Sequence, residues 1–327
     1  LTTSAFRPFP LLPGGHLQTL GGVVFRARLP WRLPTEEVLV NGDDGARLLV
    51  RASWQNDRER PALLLVHGLE GSDSSGYMLS AGRLAFESGW HVIRMNMRGC
   101  GASLELCPRL YHAGLTADLL AVARWLATRV SRFSLFGFSL GGNLALLTAA
   151  RERETLPDEL ASVVAVSPPL DMSVCARALE RPSSLPYQIR FMLSLRASYR
   201  ARQRLSPELY QSGRERGLRT LREFDSEITA FYSGYDDAEH YYGSVSPGPL
   251  LTGIDRPTLV LASADDPLIP VSSVTRWASA GSVRIEVTTS GGHVGFVGRS
   301  RAPRGFWAAE RALAFLQEFA PSEVTKG

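Results

Sequence analysis

The sequence predicts an α/β fold: a mostly parallel, twisted sheet with helices on both faces, in one domain spanning residues 1–327. Three observations predict it. Short uninterrupted apolar runs, such as Ala62-Leu63-Leu64-Leu65-Val66, have the length of strands buried on both faces. These runs alternate with stretches of helical periodicity, which calls for parallel strands joined by right-handed crossovers. One run leads through Gly137-Phe138-Ser139-Leu140-Gly141 into an apolar helix, the strand–turn–helix context of a nucleophile elbow.

Taken in order, residues 1–35 are rich in proline (Pro8, Pro10, Pro13, Pro30 and Pro34) and read as an irregular N-terminal arm. Within the arm, Gly15-His16-Leu17-Gln18-Thr19 is a compact cluster, and His16 reads as a structural histidine. Val38-Leu39-Val40 and Leu48-Leu49-Val50 flank the turn residues Asn41-Gly42-Asp43-Asp44-Gly45 and predict a hairpin. After the strand at 62–66 come a helix over 77–87, a strand over 90–95, a tight loop over 96–101 and a helix over 117–128. A strand over 132–136 enters the elbow, and the helix beyond it is expected over 144–150. A strand over 162–166 follows. The pattern then changes. Residues 171–243 are charged, aromatic and helical without a buried-strand run, and read as a helical lid insertion over the active edge of the sheet. Alternation resumes with a strand over 257–262, a helix over 272–279, a strand over 283–287 and a helix over 306–319.

Hydrophobic residues make up 44% and charged residues 21%, the balance of a globular protein rather than a disordered one. No apolar run is long enough to span a bilayer and no leader pattern opens the chain, so a cytoplasmic protein is expected. Cys100, Cys107 and Cys175 are odd in number and show no paired spacing, which favours reduced thiols. The net charge of +4 does not indicate nucleic acid. Lys326 is the single lysine among 36 basic residues, and the arginines are dispersed among 32 acids.

Serine needs a base to take its proton, and the base needs a third group to orient it. After an elbow serine, the acid and then the histidine should follow in chain order. Ser139 is therefore the candidate nucleophile. His293, in Gly291-Gly292-His293 after the last strand, is the candidate base. For the acid, Asp266 is favoured by the rigid turn at Pro267, Asp265 comes next, and Asp171 is a third candidate. The neighbour not used would cap the following turn. The backbone N–H groups of Leu140, just after the nucleophile, and of Leu69, in His67-Gly68-Leu69-Glu70-Gly71, are the expected oxyanion donors. His67 is expected to pin that loop. Asp236, Asp237, Glu239 and His240 read as a solvated face rather than metal ligands, and no cofactor is expected.

With these residues assigned, the chain resembles the α/β hydrolases, and within them the YheT-like branch. That branch takes in plant embryogenesis-associated hydrolases, fungal medium-chain ester synthases/esterases and animal abhydrolase-domain phospholipases. The resemblance is carried by residues 15–19, 67–71 and 137–143, by Asn96-Met97-Arg98-Gly99-Cys100-Gly101 and Tyr111-His112-Ala113-Gly114, and by Asp265-Asp266-Pro267 and Gly291-Gly292-His293. Leu115 departs from the Glu-Thr pair expected after Tyr-His-Ala-Gly, at a position outside the triad. Ser139, Asp266 and His293 match the branch's charge-relay positions. The resemblance implies serine ester hydrolysis or acyl transfer, with lipid-like or short- to medium-chain acyl substrates. Transient contact with a membrane surface is a separate expectation for a lipid-like ester substrate. The rival expectations are acyl transfer to an alcohol through the same acyl-enzyme, and a non-catalytic binding protein on a hydrolase fold.

Overall fold

The computed structural model describes residues 2–3, 6–27, 29–42, 44–277 and 281–319. The arm contributes a short strand, β1 (Thr2–Thr3), and a helix, α1 (Gly14–Arg26). The hairpin follows as β2 (Glu36–Asn41) and β3 (Arg47–Ser53). Then come β4 (Ala62–Val66), α2 (Gly76–Glu87), β5 (His91–Met95), α3 (Thr116–Ala127), β6 (Phe133–Phe138), α4 (Leu140–Arg151) and β7 (Leu160–Val166). Between β7 and the next strand, the regular elements are helical: α5 (Met172–Leu179), α6 (Leu185–Leu205), α7 (Leu221–Phe224), α8 (Phe231–Ser233) and α9 (Ala238–Val245). The chain closes with β8 (Thr258–Ser263), α10 (Val271–Thr275), β9 (Val283–Thr288) and α11 (Trp307–Gln317).

The described strands form one nine-stranded sheet in the order β1-β9-β8-β7-β6-β4-β5-β3-β2. It is parallel except where β3 pairs antiparallel with β2 and β5. Alternate residues of each strand serve opposite faces. Leu64, Val66 and Leu135 pack with Leu119 and Val122 of α3 and Leu144 of α4. Leu63, Leu65, Phe136 and Phe138 pack with Met78 and Leu84 of α2 and Leu313 of α11. Burial on both faces explains the continuous apolar runs.

Two expectations need correction. The arm is not irregular over its whole length, because residues 14–26 are helical. Its inward residues include Gln18, Thr19 and Arg26, so the usual apolar stripe is missing from the buried side. The helix after the elbow also starts earlier than expected, at Leu140 directly after Ser139. The weak helix formers Gly141, Gly142 and Asn143 are held there by packing against the strands. Asp43 of the hairpin turn and the expected end of the helix at Ser279 lie outside the described residues.

The helical stretch between β7 and β8 leaves and returns at one place. The Gly248 N–H donates to Leu170 O at 3.0 Å, and the Met172 N–H donates to Ser246 Oγ at 2.9 Å. The Asn143 side chain of α4 donates to Pro169 O at 2.9 Å and to Val245 O at 3.0 Å.

Candidate active site

Ser139 leaves the carboxyl end of β6 with φ 51° and ψ −119°, a strained conformation for a side chain that must stand clear of the sheet. The turn is tight enough to need glycine. A methyl on Gly137 would come within 2.2 Å of Gly141 O, and one on Gly141 within 2.4 Å of Val66 O. α4 starts at the next residue, so its first N–H groups lie beside the serine.

His293 follows β9 and brings Nε2 to 2.8 Å from Ser139 Oγ. Its Nδ1 lies 3.0 Å from Asp266 Oδ2. The other carboxylate oxygen of Asp266 accepts the N–H groups of Leu268 at 2.8 Å and Ile269 at 3.0 Å. Asp266 thus meets the histidine and also caps the following turn, a role expected of its neighbour. Asp265 has a different task. Its Oδ1 accepts the Ser263 hydroxyl and the Gly292 N–H, at 2.9 Å for the latter, and so ties the acid loop to the histidine loop. Asp171 does not reach His293. It caps α5 through the Val174 N–H at 3.0 Å and pairs with Arg276.

The loop after β4 is held from three sides. The Gly68 N–H donates to Tyr77 Oη at 3.0 Å, and the Glu70 N–H to Tyr111 Oη at 2.9 Å. His67 is fully buried, accepts the Met97 N–H on Nε2 at 3.0 Å, and so carries its proton on Nδ1, 2.8 Å from Gly68 O. Burial drives its pKa down to about 4, keeping it neutral. The backbone N–H groups of Leu69 and Leu140 have no protein acceptor among the described residues. Sequence reasoning gives no role to Tyr77, nor to Tyr111, although Tyr111 opens the Tyr111-His112-Ala113-Gly114 segment.

Sequence reasoning also missed the part played by α1. Thr19 Oγ1 accepts the His293 N–H at 2.8 Å and donates to Gly15 O at 2.7 Å. Gln18 brackets Val297, accepting its N–H at 2.7 Å and donating to its carbonyl at 3.2 Å. Arg26 donates to the carbonyls of Val294 and Gly295 at 2.7 and 3.1 Å. Burial lowers the Arg26 pKa to about 9. A methyl on Gly15 would collide with Asp265 O, so α1 also lies against the acid loop. The signal was present in Gly15-His16-Leu17-Gln18-Thr19, where three polar residues accompany one glycine and one leucine.

Ser139 and His293 open on a small apolar slot lined by Met172, Cys175, Leu179, Phe191 and Leu268. Of three neighbours in α6, Phe191 lines the slot, Met192 is buried in the core and Leu193 is exposed. Leu69 and Leu140 also border a separate cavity of about 350 Å³. Glu70, Tyr111, Ser194, Ser198 and Arg202 line it, and its wall is more polar. Arg202 is buried and donates to Cys107 O at 2.6 Å. The Cys100 and Cys175 thiols are buried, with pKa values pushed up by desolvation, Cys175 to about 12, which opposes a thiolate role. Asp237 caps α9, and Asp236 pairs with His240 at 3.0 Å. Among the described residues, no group of three or more His, Cys, Asp or Glu side chains could hold a metal ion.

The family defined by the alpha/beta hydrolase fold matches residues 61–299. The chain is 31% identical to YheT of Escherichia coli (strain K12), whose name designates it an esterase, over 97% of this chain and 94% of the relative. The chain belongs to the α/β-hydrolase family, in its YheT-like branch. This α/β hydrolase is an enzyme of the esterase/lipase type. It is also 27% identical to the monoacylglycerol lipase of Saccharomyces cerevisiae, over 90% of this chain and 68% of the relative. The Pyrococcus furiosus esterase Pf2001 shares the fold with a TM-score of 0.60 at 16% identity, covering 89% of this chain and 96% of that one. Among the described residues, no helix is long and apolar enough to cross a membrane.

Proposed function

We propose that this α/β hydrolase cleaves carboxylic esters of short- or medium-chain or lipid-like acyl groups, through a Ser139–His293–Asp266 triad and an acyl-enzyme. The observation that carries the reading is the hydrogen-bonded run from Ser139 Oγ to His293 at 2.8 Å and on to Asp266 at 3.0 Å. Asp266 holds the Nδ1–H tautomer, which leaves Nε2 to take the serine proton. Ser139 Oγ attacks the ester carbonyl, and the oxyanion lies between the N–H groups of Leu69 and Leu140. Collapse of the tetrahedral intermediate breaks the C–O bond, and His293 returns the proton to the departing alcohol. Water, deprotonated by His293, then attacks the acyl-serine and frees the acid.

The apolar slot suits the acyl chain, and the polar cavity beyond Leu69 suits the alcohol portion. Residues 1–35 serve as an arm and residues 171–243 as a lid on a single domain of 327 residues. A fluorophosphonate probe tests the triad: labelling is expected in the wild type and lost in Ser139→Ala. A wild type that neither labels nor hydrolyses any p-nitrophenyl ester from acetate to palmitate would overturn the reading. The chain-length profile of the same esters measures the slot.

A further inference from the structure

α1 is inside out. Its protein-facing residues are Gly15, Gln18, Thr19, Gly21, Gly22 and Arg26. Its outward face carries Leu17, Leu20, Val23, Val24 and Phe25, each 44–70% exposed. A helix between core and water has the opposite arrangement. The inward side is accounted for, since Gln18, Thr19 and Arg26 hold the segment that bears His293. The outward side has no such account, and a continuous apolar stripe on a surface helix marks a place where something other than water sits.

The neighbouring helix extends the feature. His16 of α1 hydrogen-bonds Tyr187 of α6 at 3.1 Å, and the two rings stack with centroids 5.7 Å apart. α6 itself exposes Leu185, Ile189 and Leu193, spaced four apart along one face. The same helix supplies Phe191, from its opposite side, to the slot at Ser139, so the exposed apolar face is the outer side of a wall of the site. Charge selects the occupant. Neither helix contains Asp or Glu, and none occurs from residue 6 to residue 35. The exposed Arg190 and Arg204 of α6 have no carboxylate partner among the described residues. Apolar side chains flanked by unpaired cations are what an interfacial helix presents to anionic lipid. A second copy of the chain fits less well, because a two-fold contact would bring these arginine-bearing faces together with no acid to meet them.

We propose that α1 and the exposed face of α6 dock on an anionic lipid surface, which brings the helix that walls the slot at Ser139 onto it. The substrate is then an ester embedded in, or partitioned into, that surface. The substrate half of this inference rests on the ester-hydrolase reading; the docking half does not.

Flotation with vesicles of phosphatidylcholine, with or without phosphatidylglycerol, tests it. The wild type is expected to float with phosphatidylglycerol-containing vesicles, less with phosphatidylcholine alone, and less in high salt. Leu20→Ser/Val24→Ser is expected to lose about tenfold or more in partitioning. It should keep the wild-type melting temperature and wild-type hydrolysis of p-nitrophenyl acetate, because both side chains point away from the site. Arg190→Glu is expected to weaken binding to phosphatidylglycerol vesicles only. A wild type that binds neither vesicle overturns the proposal. If it also sediments as a dimer that the double substitution makes monomeric, a second copy covers the face. A double variant that floats as well as the wild type overturns it too. Vesicle binding without p-nitrophenyl acetate hydrolysis would remove the hydrolase reading and leave docking intact.

Discussion

Thr19 Oγ1 accepts the backbone N–H of His293 at 2.8 Å, a contact between residues 274 apart in the chain. It fixes the backbone of the histidine loop from outside the sheet. Thr19→Val keeps the side-chain shape and leaves that N–H without its acceptor. The expected cost is about 1–3 kcal/mol in stability. A small shift of His293 is also expected to lower kcat by about tenfold to a hundredfold, with KM little changed. Thr19→Ser should restore most of the rate. Steady-state kinetics and thermal melts on the three proteins separate positioning from folding, since lost stability alone would not be repaired selectively in kcat.

The adjacent acids should behave differently. Asp266→Asn removes the charge that fixes the His293 tautomer, and kcat is expected to fall by about 10⁴. Asp265→Asn weakens the link to Ser263 and Gly292, and a fall of about tenfold is expected. If kcat proves more sensitive at Asp265, the assignment of the triad acid is wrong.

Gly141→Ala tests the packing of the elbow. The added methyl would sit 2.3 Å from His67 O and 2.4 Å from Val66 O, both backbone atoms of the strand end. Neither can move without disturbing the β4–β6 pairing. A loss of about 3 kcal/mol or more is expected, seen as a Tm lower by about 6 °C or more, and the fluorophosphonate label should be lost with it.

Acid should weaken the fold between about pH 6.5 and 4. Burial holds His67 and His112 near pKa 4 in the folded state, while the unfolded chain takes up these protons near 6.5. The unfolded state therefore binds more protons, and stability falls as pH drops through that window. Asp225 acts in the opposite direction. Desolvation raises its pKa to about 6 despite hydrogen bonds from Tyr242 and Thr229, so the folded state protonates first. Its contribution is lost as pH rises through 6. Two histidines oppose one aspartate, so the net slope still favours unfolding in acid. Asp225→Asn should steepen the decline of Tm between pH 6.5 and 4; an unchanged profile would contradict the assignment.

The sheet could be read from the sequence because burial on both faces leaves no polar residue to interrupt the strand runs at 62–66 and 163–166. The elbow was legible because steric demands placed glycine at both 137 and 141. The approach of His293 to Ser139, at 2.8 Å, is the one that chain order predicts. The choice between Asp265 and Asp266 was harder, because adjacent carboxylates in one turn differ only in direction, which composition does not record. Helix α1 escaped because the sequence rules assume apolar residues inside, and here the inward face is made of Gln18, Thr19, Arg26 and glycines. The early start of α4 escaped because Gly141 and Gly142 have poor helix propensity, which tertiary packing overrode.

The single amide of Asn143 that spans Pro169 and Val245 makes the stretch between them a removable cassette. Entry and exit meet at one point, so the stretch can lengthen, shorten or be exchanged without shifting the register of β7 against β8. The wall that this stretch gives the slot can therefore be redrawn while Ser139, Asp266 and His293 stay fixed at the ends of the strands. A laboratory chimera that takes this stretch from a relative has its two splice points marked by the same side chain.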